Sequence, residues 1–81
     1  MLKDLKMAPN KTVGLKQTIK AIQTGKARRV YLAEDVDRHI MAKVKEQCSQ
    51  HGVELVLVNS MSQLGEACGI QVGSATAAIL D

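Results

Sequence analysis

Tryptophan and phenylalanine are absent from this chain of 81 residues, and Tyr31 is its only aromatic. Any interior must therefore be assembled from Val, Ile, Leu, Met and Ala. Proline occurs once, at Pro9, and cysteine twice, at Cys48 and Cys68. The two cysteines stand too far apart for a C-x-x-C redox pair or a zinc knuckle. They read as reduced, partly buried thiols of a cytosolic protein. No apolar run approaches the ~20 residues of a membrane span, and Lys3, Asp4 and Lys6 interrupt the apolar stretch a signal peptide would need. There is no GxGxxG or Walker loop, and no linker, repeat or low-complexity segment. These absences leave one cytoplasmic domain over residues 1–81, long enough for a modest core without staples.

Charge is present and unevenly placed. The formal net charge of +3 hides a split. Residues 1–29 carry eight Lys/Arg against the single acid Asp4, whereas residues 30–81 carry Arg38, Lys43 and Lys45 against seven acids. A division of this kind points to a face that binds a polyanion.

The stretch Val13 to Arg29, V-G-L-K-Q-T-I-K-A-I-Q-T-G-K-A-R-R, holds most of that charge. It reads as a short helix bounded by Gly14 and Gly25, with Gly25 at the position of a C′ glycine. Leu15, Ile19 and Ile22 fall at i, i+4 and i+7 and form a core-facing stripe. Lys16, Gln17 and Lys20 share the other side. Lys16 and Lys20 are a like-charge i, i+4 pair, which weakens a helix by roughly 0.2–0.5 kcal/mol. They also stand near the positive end of the helix dipole, where cations are disfavoured. Selection for stability alone would place Asp or Glu there. An anion docking on the helix start explains the choice, because free N–H groups, dipole and lysines would all point at it.

The remaining chain alternates between helix and strand. Residues 1–8 predict a first helix with Leu2, Leu5 and Met7 as its apolar side, ended by Pro9-Asn10. Lys11 to Val13 is a brief extended lead-in. Arg29 to Ala33 is an apolar run that reads as a strand buried on both faces. Glu34 to Asp37 follows as an acidic loop in which Asp35 or Asp37 can cap the next helix. Val36, Ile40, Val44 and Cys48, with Met41 beside them, predict an amphipathic helix to Gln50, ended by His51-Gly52. Val53 to Val58 reads as a second buried strand. Ser60 and Gln63 have capping-box spacing before a short helix whose Met61, Leu64 and Cys68 face inward and which Gly69 stops. Ile70-Gln-Val-Gly-Ser74 is an apolar loop, and Ala75 to Leu80 a last strand of mostly small residues. Strands alternating with helices predict an α/β fold, a three-layer α/β/α sandwich with four strands.

Candidates for catalysis are few. His39 and His51 lie beside helix ends with no partner at a diagnostic spacing, and read as surface or capping residues. Ser60 and Ser62 stand in a capping context and not in a nucleophile elbow. Glu34, Asp35 and Asp37 could be imagined around a divalent metal, but a loop-and-cap role suits them better. No catalytic set, metal site or cofactor site is expected. In the loop 70–74, Ile70 and Val72 either bury or face a base unstacked from an RNA helix.

Four segments together, G-L-K-Q-T-I-K-A-I-x-x-G-K-A, V-Y-L-A-E-D-V-D, G-V-E-L-V-L-V and L-G-E-A-C-G-I-Q-V-G-S-A, closely resemble the kink-turn-binding L7Ae/L30e ribosomal protein family, and its short bacterial YbxF-type members most of all. The likeness covers residues 13–80. It implies an L30e-like fold with a four-stranded mixed sheet, and a non-enzymatic, monomeric protein without cofactor. The implied partner is a kink-turn, an RNA duplex bent at a three-nucleotide bulge next to tandem sheared G·A pairs, in rRNA, a riboswitch or RNase P, with the ribosome as a further partner. Where archaeal members begin the recognition helix Gly-x-Asn-Glu-x-x-Lys, this chain has Gly14, Lys16, Gln17 and Lys20. Lys16 can still donate to guanine, and Gln17 keeps an acceptor but loses the charge that would strengthen it. Base discrimination should weaken and the phosphate share grow. Gly14 would let RNA approach the backbone. The loop residues Ile70, Val72, Gly73 and Ser74 match the segment that cradles the bulged nucleotide, and Glu34 and Arg38 flank the same surface. The rival expectations are a ribosomal protein that binds rRNA by shape and charge alone, and a relative of the substrate-recognition domain of RNA methyltransferases.

Overall fold

In the computed structural model, which describes residues 2–81, four helices and four strands alternate. They are α1 (Leu2–Met7), β1 (Lys11–Val13), α2 (Leu15–Gln23), β2 (Ala27–Ala33), α3 (Arg38–His51), β3 (Glu54–Val58), α4 (Met61–Ala67) and β4 (Thr76–Leu80). Met1, the first residue of the predicted N-terminal helix, lies outside the described residues. The strands form one mixed sheet in the order β1-β4-β2-β3, with β4 antiparallel to both neighbours and β2 parallel to β3.

Each face of the sheet carries its own apolar cluster. Ile19, Ala21 and Ile22 of α2 and Val44 and Cys48 of α3 meet Val30, Leu32 and Ala78 on one face. Leu5 of α1 and Leu64 and Ala67 of α4 meet Tyr31, Ala33, Val58 and Ala77 on the other. The three-layer α/β/α sandwich expected from the sequence is therefore present. Side chains alternate along β2, Val30 and Leu32 to one face and Tyr31 and Ala33 to the other, as a strand covered on both sides requires. The alanines of β4 leave room for α2 to cross it closely.

Local chemistry explains the boundaries. Asp37 accepts a hydrogen bond from the Ile40 N–H at 3.0 Å and starts α3 at Arg38, two residues after Val36. Gly52 ends α3 with φ 65°, in the left-handed conformation that glycine adopts without strain. Ser60 Oγ accepts from the Gln63 N–H at 3.1 Å and starts α4.

Two expectations need correction. β3 is not buried on both faces: it is the sheet edge, with Leu57 46% exposed and Leu55 and Val56 half-buried. An apolar run reads alike in a central and an edge strand, and only the strand order separates them. Met7 is not part of the apolar side of α1, because the helix ends there and its side chain is 74% exposed.

Candidate nucleic-acid interface

The topology gathers the loops of interest at one end of the sheet. β1, β2 and β3 run the same way and β4 runs against them. Hence the loops after β1, β2 and β3 and the loop before β4 share that end. Short hydrogen bonds lace them together. The Gly14 N–H donates to the Thr76 carbonyl at 2.9 Å, Ala33 to Ala75 at 2.9 Å, Glu34 to Val58 at 2.8 Å, and Ser74 to Met61 at 3.0 Å. Asp35 Oδ1 accepts the Met61 N–H at 2.8 Å and ties the acidic loop to the start of α4. Gly14, Lys16, Gln17, Glu34, Arg38 and the loop 70–74 thus belong to a single surface.

Within it the start of α2 is built unlike its neighbours. Its N-cap is Gly14 at φ 104°, ψ 156°, a conformation open in practice to glycine alone. No side chain caps the helix, and its first turn has no acid. Lys16, Gln17 and Lys20 are all exposed. The free backbone N–H groups of the first turn and the lysine ammonium groups together make an anion-attracting end.

The loop 70–74 lies against α4, and a residue that sequence reasoning overlooked makes this possible. A Cβ at Gly65 would run into the Val72 carbonyl oxygen, so only glycine lets the loop rest on the helix there. Its signal was a glycine inside an otherwise helical pattern, which usually marks a packing reason. Gly73 packs on Met61 in the same way, with room for a Cβ only 3.1 Å from the Met61 Cβ. With its backbone held down, the loop turns Val72 outward, 71% exposed, and leaves Ile70 37% exposed. The apolar tip therefore faces solvent. Ser74 differs from the others: it is 5% exposed and its Oγ donates to the Thr76 carbonyl at 2.9 Å. It shapes the base of the loop from within and offers no free hydroxyl to a ligand.

The basic N-terminal third divides in the structure. Lys11 Nζ donates to the Leu5 and Lys6 carbonyls at 3.1 and 3.2 Å and closes the end of α1. Arg29 pairs with Asp4 and Glu54, each at 2.9 Å, and also reaches the Tyr31 hydroxyl. The Tyr31 hydrogen bond, then Glu54 and Asp4, raise its pKa further, so the guanidinium stays charged at any working pH. Lys11, Lys26, Arg28 and Arg29 all lie towards the other end of the strands, whereas Lys16 and Lys20 stand on the helix that starts at the loop end. A surface depression of about 730 Å³ opens at that other end, lined by Asp4, Met7, Arg28, Glu54, Ile79 and Asp81. None of the RNA-binding candidates read from the sequence lines it.

Among the described residues no group of three His, Cys, Asp or Glu is arranged to hold a metal, and no helix is long and apolar enough to cross a membrane. Both cysteines are free, Cys48 buried and Cys68 half-buried on opposite faces of the sheet, and burial raises both thiol pKa values. A raised pKa means less thiolate and a less reactive sulfur.

Comparison with known proteins finds relatives over most of the chain. A protein of Caldanaerobacter subterraneus subsp. tengcongensis named as RNA-binding is 46% identical over 70 residues, covering 86% of this chain and 85% of its own length. The RNA-binding protein YbxF of Geobacillus stearothermophilus is 47% identical over 68 residues, covering 84% and 83%. Among solved structures, a 15.5 kD RNA-binding protein of Giardia lamblia superposes with a TM-score of 0.88 at 29% identity, over 99% of this chain and 70% of that one. A Bacillus halodurans protein of unknown function gives 0.86 at 25% identity, over 99% and 80%. The sequence profile of the "Ribosomal protein L7Ae/L30e/S12e/Gadd45 family" matches residues 1–81, and the chain belongs to that family.

Proposed function

We propose that residues 1–81 form one non-catalytic RNA-binding domain that recognises kink-turns and stabilises the bent RNA. The observation that carries this reading is the meeting, at one end of the sheet, of an uncapped lysine-bearing helix start and an exposed apolar loop tip. RNA helices hide their bases in a deep, narrow major groove, but a kink opens that groove and splays a base out. The start of α2 would enter the opened groove. Lys16 and Gln17 would meet the guanine edges of tandem G·A pairs, Lys20 would meet phosphate, and Gly14 would let the backbone come close. Ile70 and Val72 would cover the bulged base, with Gly73 and Ser74 holding the loop in place and Glu34 and Arg38 at its border. The protein needs no chemistry for this. Greater affinity for the bent form shifts the RNA population towards it. The names of the relatives, which describe RNA-binding proteins, support the coarse part of the reading. The partner is structured RNA in the cytoplasm, within the ribosome or outside it, and the protein acts as a monomer.

The test is affinity for a bulged hairpin with tandem G·A pairs beside a control in which those pairs are G·C. Kink-turn recognition predicts a loss of more than tenfold on the control, about 1.4 kcal/mol or more. Equal affinity for both RNAs would instead assign the surface to shape and charge alone.

A further inference from the structure

α2 and α3 lie side by side on the same face of the sheet. α2 joins β1 to β2 and α3 joins β2 to β3, and all three strands run the same way. The two helices therefore run parallel to each other, and both begin at the loop end. One contact fixes their relative level: Gln23 Nε2 donates to Gln47 Oε1 at 3.3 Å across the seam. Helical geometry places the rest. Lys20 precedes Gln23 by three residues and Lys43 precedes Gln47 by four, which sets them about 4.5 and 6 Å nearer the loop end. Residues three or four apart share a helix face, so the two lysines stand nearly level on the shoulders that flank the seam. Lys16 occupies the α2 shoulder one turn above Lys20.

Among the described residues no ion pair engages either lysine. Both lysines are exposed. The ion pairs among the described residues are those of Arg29. α2 contains no acid, and the single acid of α3, Glu46, accepts a hydrogen bond from Gln50 at 3.2 Å. Glu46, three residues from Lys43, keeps its carboxylate on the Gln50 amide and forms no ion pair with Lys43, so an anion at the seam would find both ammonium groups unpaired.

We propose that the α2–α3 seam is a second RNA contact, in which Lys43 joins Lys20 to clamp a backbone phosphate of the stem flanking the kink. The inference rests on the RNA-binding reading above and widens the interface from one helix to two. The track continues from the start of α2, so a strand leaving the groove would pass Lys16 and then the clamp. Lys43 then contributes charge and no base selectivity.

The experiment compares wild type, Lys43→Ala and Lys45→Ala on both RNAs, the G·A hairpin and its G·C control, across a salt series. Lys45 is an exposed lysine two residues from Lys43, about 200° around the helix and on its other shoulder. Loss of one phosphate contact lowers the salt slope by about 0.9. The affinity ratio of wild type to Lys43→Ala should therefore shrink about 3.5-fold between about 50 and 200 mM salt, equally on both RNAs. Lys45→Ala should leave the slope unchanged. Equal slopes for wild type and Lys43→Ala, or equal losses for Lys43→Ala and Lys45→Ala, would overturn the clamp. Because the slope is read on both RNAs and kink selectivity on their ratio, a failure of kink recognition remains separate from a failure of the clamp. Absence of binding to either RNA would overturn both. Matching circular dichroism and thermal melts establish that the variants stay folded.

Discussion

α3 begins with Asp37, whose carboxylate accepts the Ile40 N–H at 3.0 Å, and α4 with Ser60, whose hydroxyl accepts the Gln63 N–H at 3.1 Å. α2 begins at the same end of the sheet with Gly14 and two lysines, and without a side-chain cap. The first two starts are built for stability, since a cap of this kind contributes about 1 kcal/mol. The third forgoes that gain and adds charges of the disfavoured sign. The difference separates two helix starts closed by their own side chains from one left uncapped, where the proposed RNA contact would fall.

Reversing the charge should break the comparison most sharply. Lys16→Glu gives α2 the acid its first turn lacks and removes the like-charge pair with Lys20. It should gain about 0.3–1 kcal/mol of stability in thermal melts, yet bind the G·A hairpin roughly thirtyfold more weakly, about 2 kcal/mol. Parallel losses of stability and affinity would mean that Lys16 serves the fold. Gly65→Ala comes next. The new methyl group must push Val72 off α4, which should lower stability by about 1–2 kcal/mol and weaken binding through the displaced loop tip. Unchanged melting and affinity would show that the close approach has no consequence.

Asp37→Ala removes a cap from the stability side of the comparison and should lower stability by about 1 kcal/mol in denaturant titrations. The smallest effect concerns Thr18 in α2, fully buried with a hydroxyl that has no hydrogen-bond partner. Thr18→Val keeps the shape and deletes the unsatisfied group, so it should raise stability by about 0.5–1 kcal/mol. A loss of that size would instead mean that the hydroxyl is satisfied by a bound water.

The layered fold was legible in the sequence because local signals agreed with one another. The stripe Leu15, Ile19 and Ile22, the Asp37 and Ser60 caps and the glycine stops at 25, 52 and 69 all appear in place. What stayed hidden depends on distant neighbours. The exposed edge at Leu57 follows from strand order, which β3's own apolar run cannot encode. The sequence counts Lys11 and Arg29 in the charge of residues 1–29, but a carbonyl pair in α1 and the carboxylates of Asp4 and Glu54 engage them. Of the candidate site, the α2 start and Val72 were readable as residue types in unfavourable places. The inward turn of Ser74 and the cradle at Gly65 were not, because each is set by backbone contacts across the fold.

The most direct test of kink stabilisation is the end-to-end distance of the RNA itself. A bulged duplex with tandem G·A pairs, carrying a donor and an acceptor dye on its two stem ends, would be titrated with the protein in low salt without divalent ions. Preferential binding to the bent form predicts that energy transfer rises with saturation and that the G·C control stays extended. Saturable binding with no rise in energy transfer would contradict it.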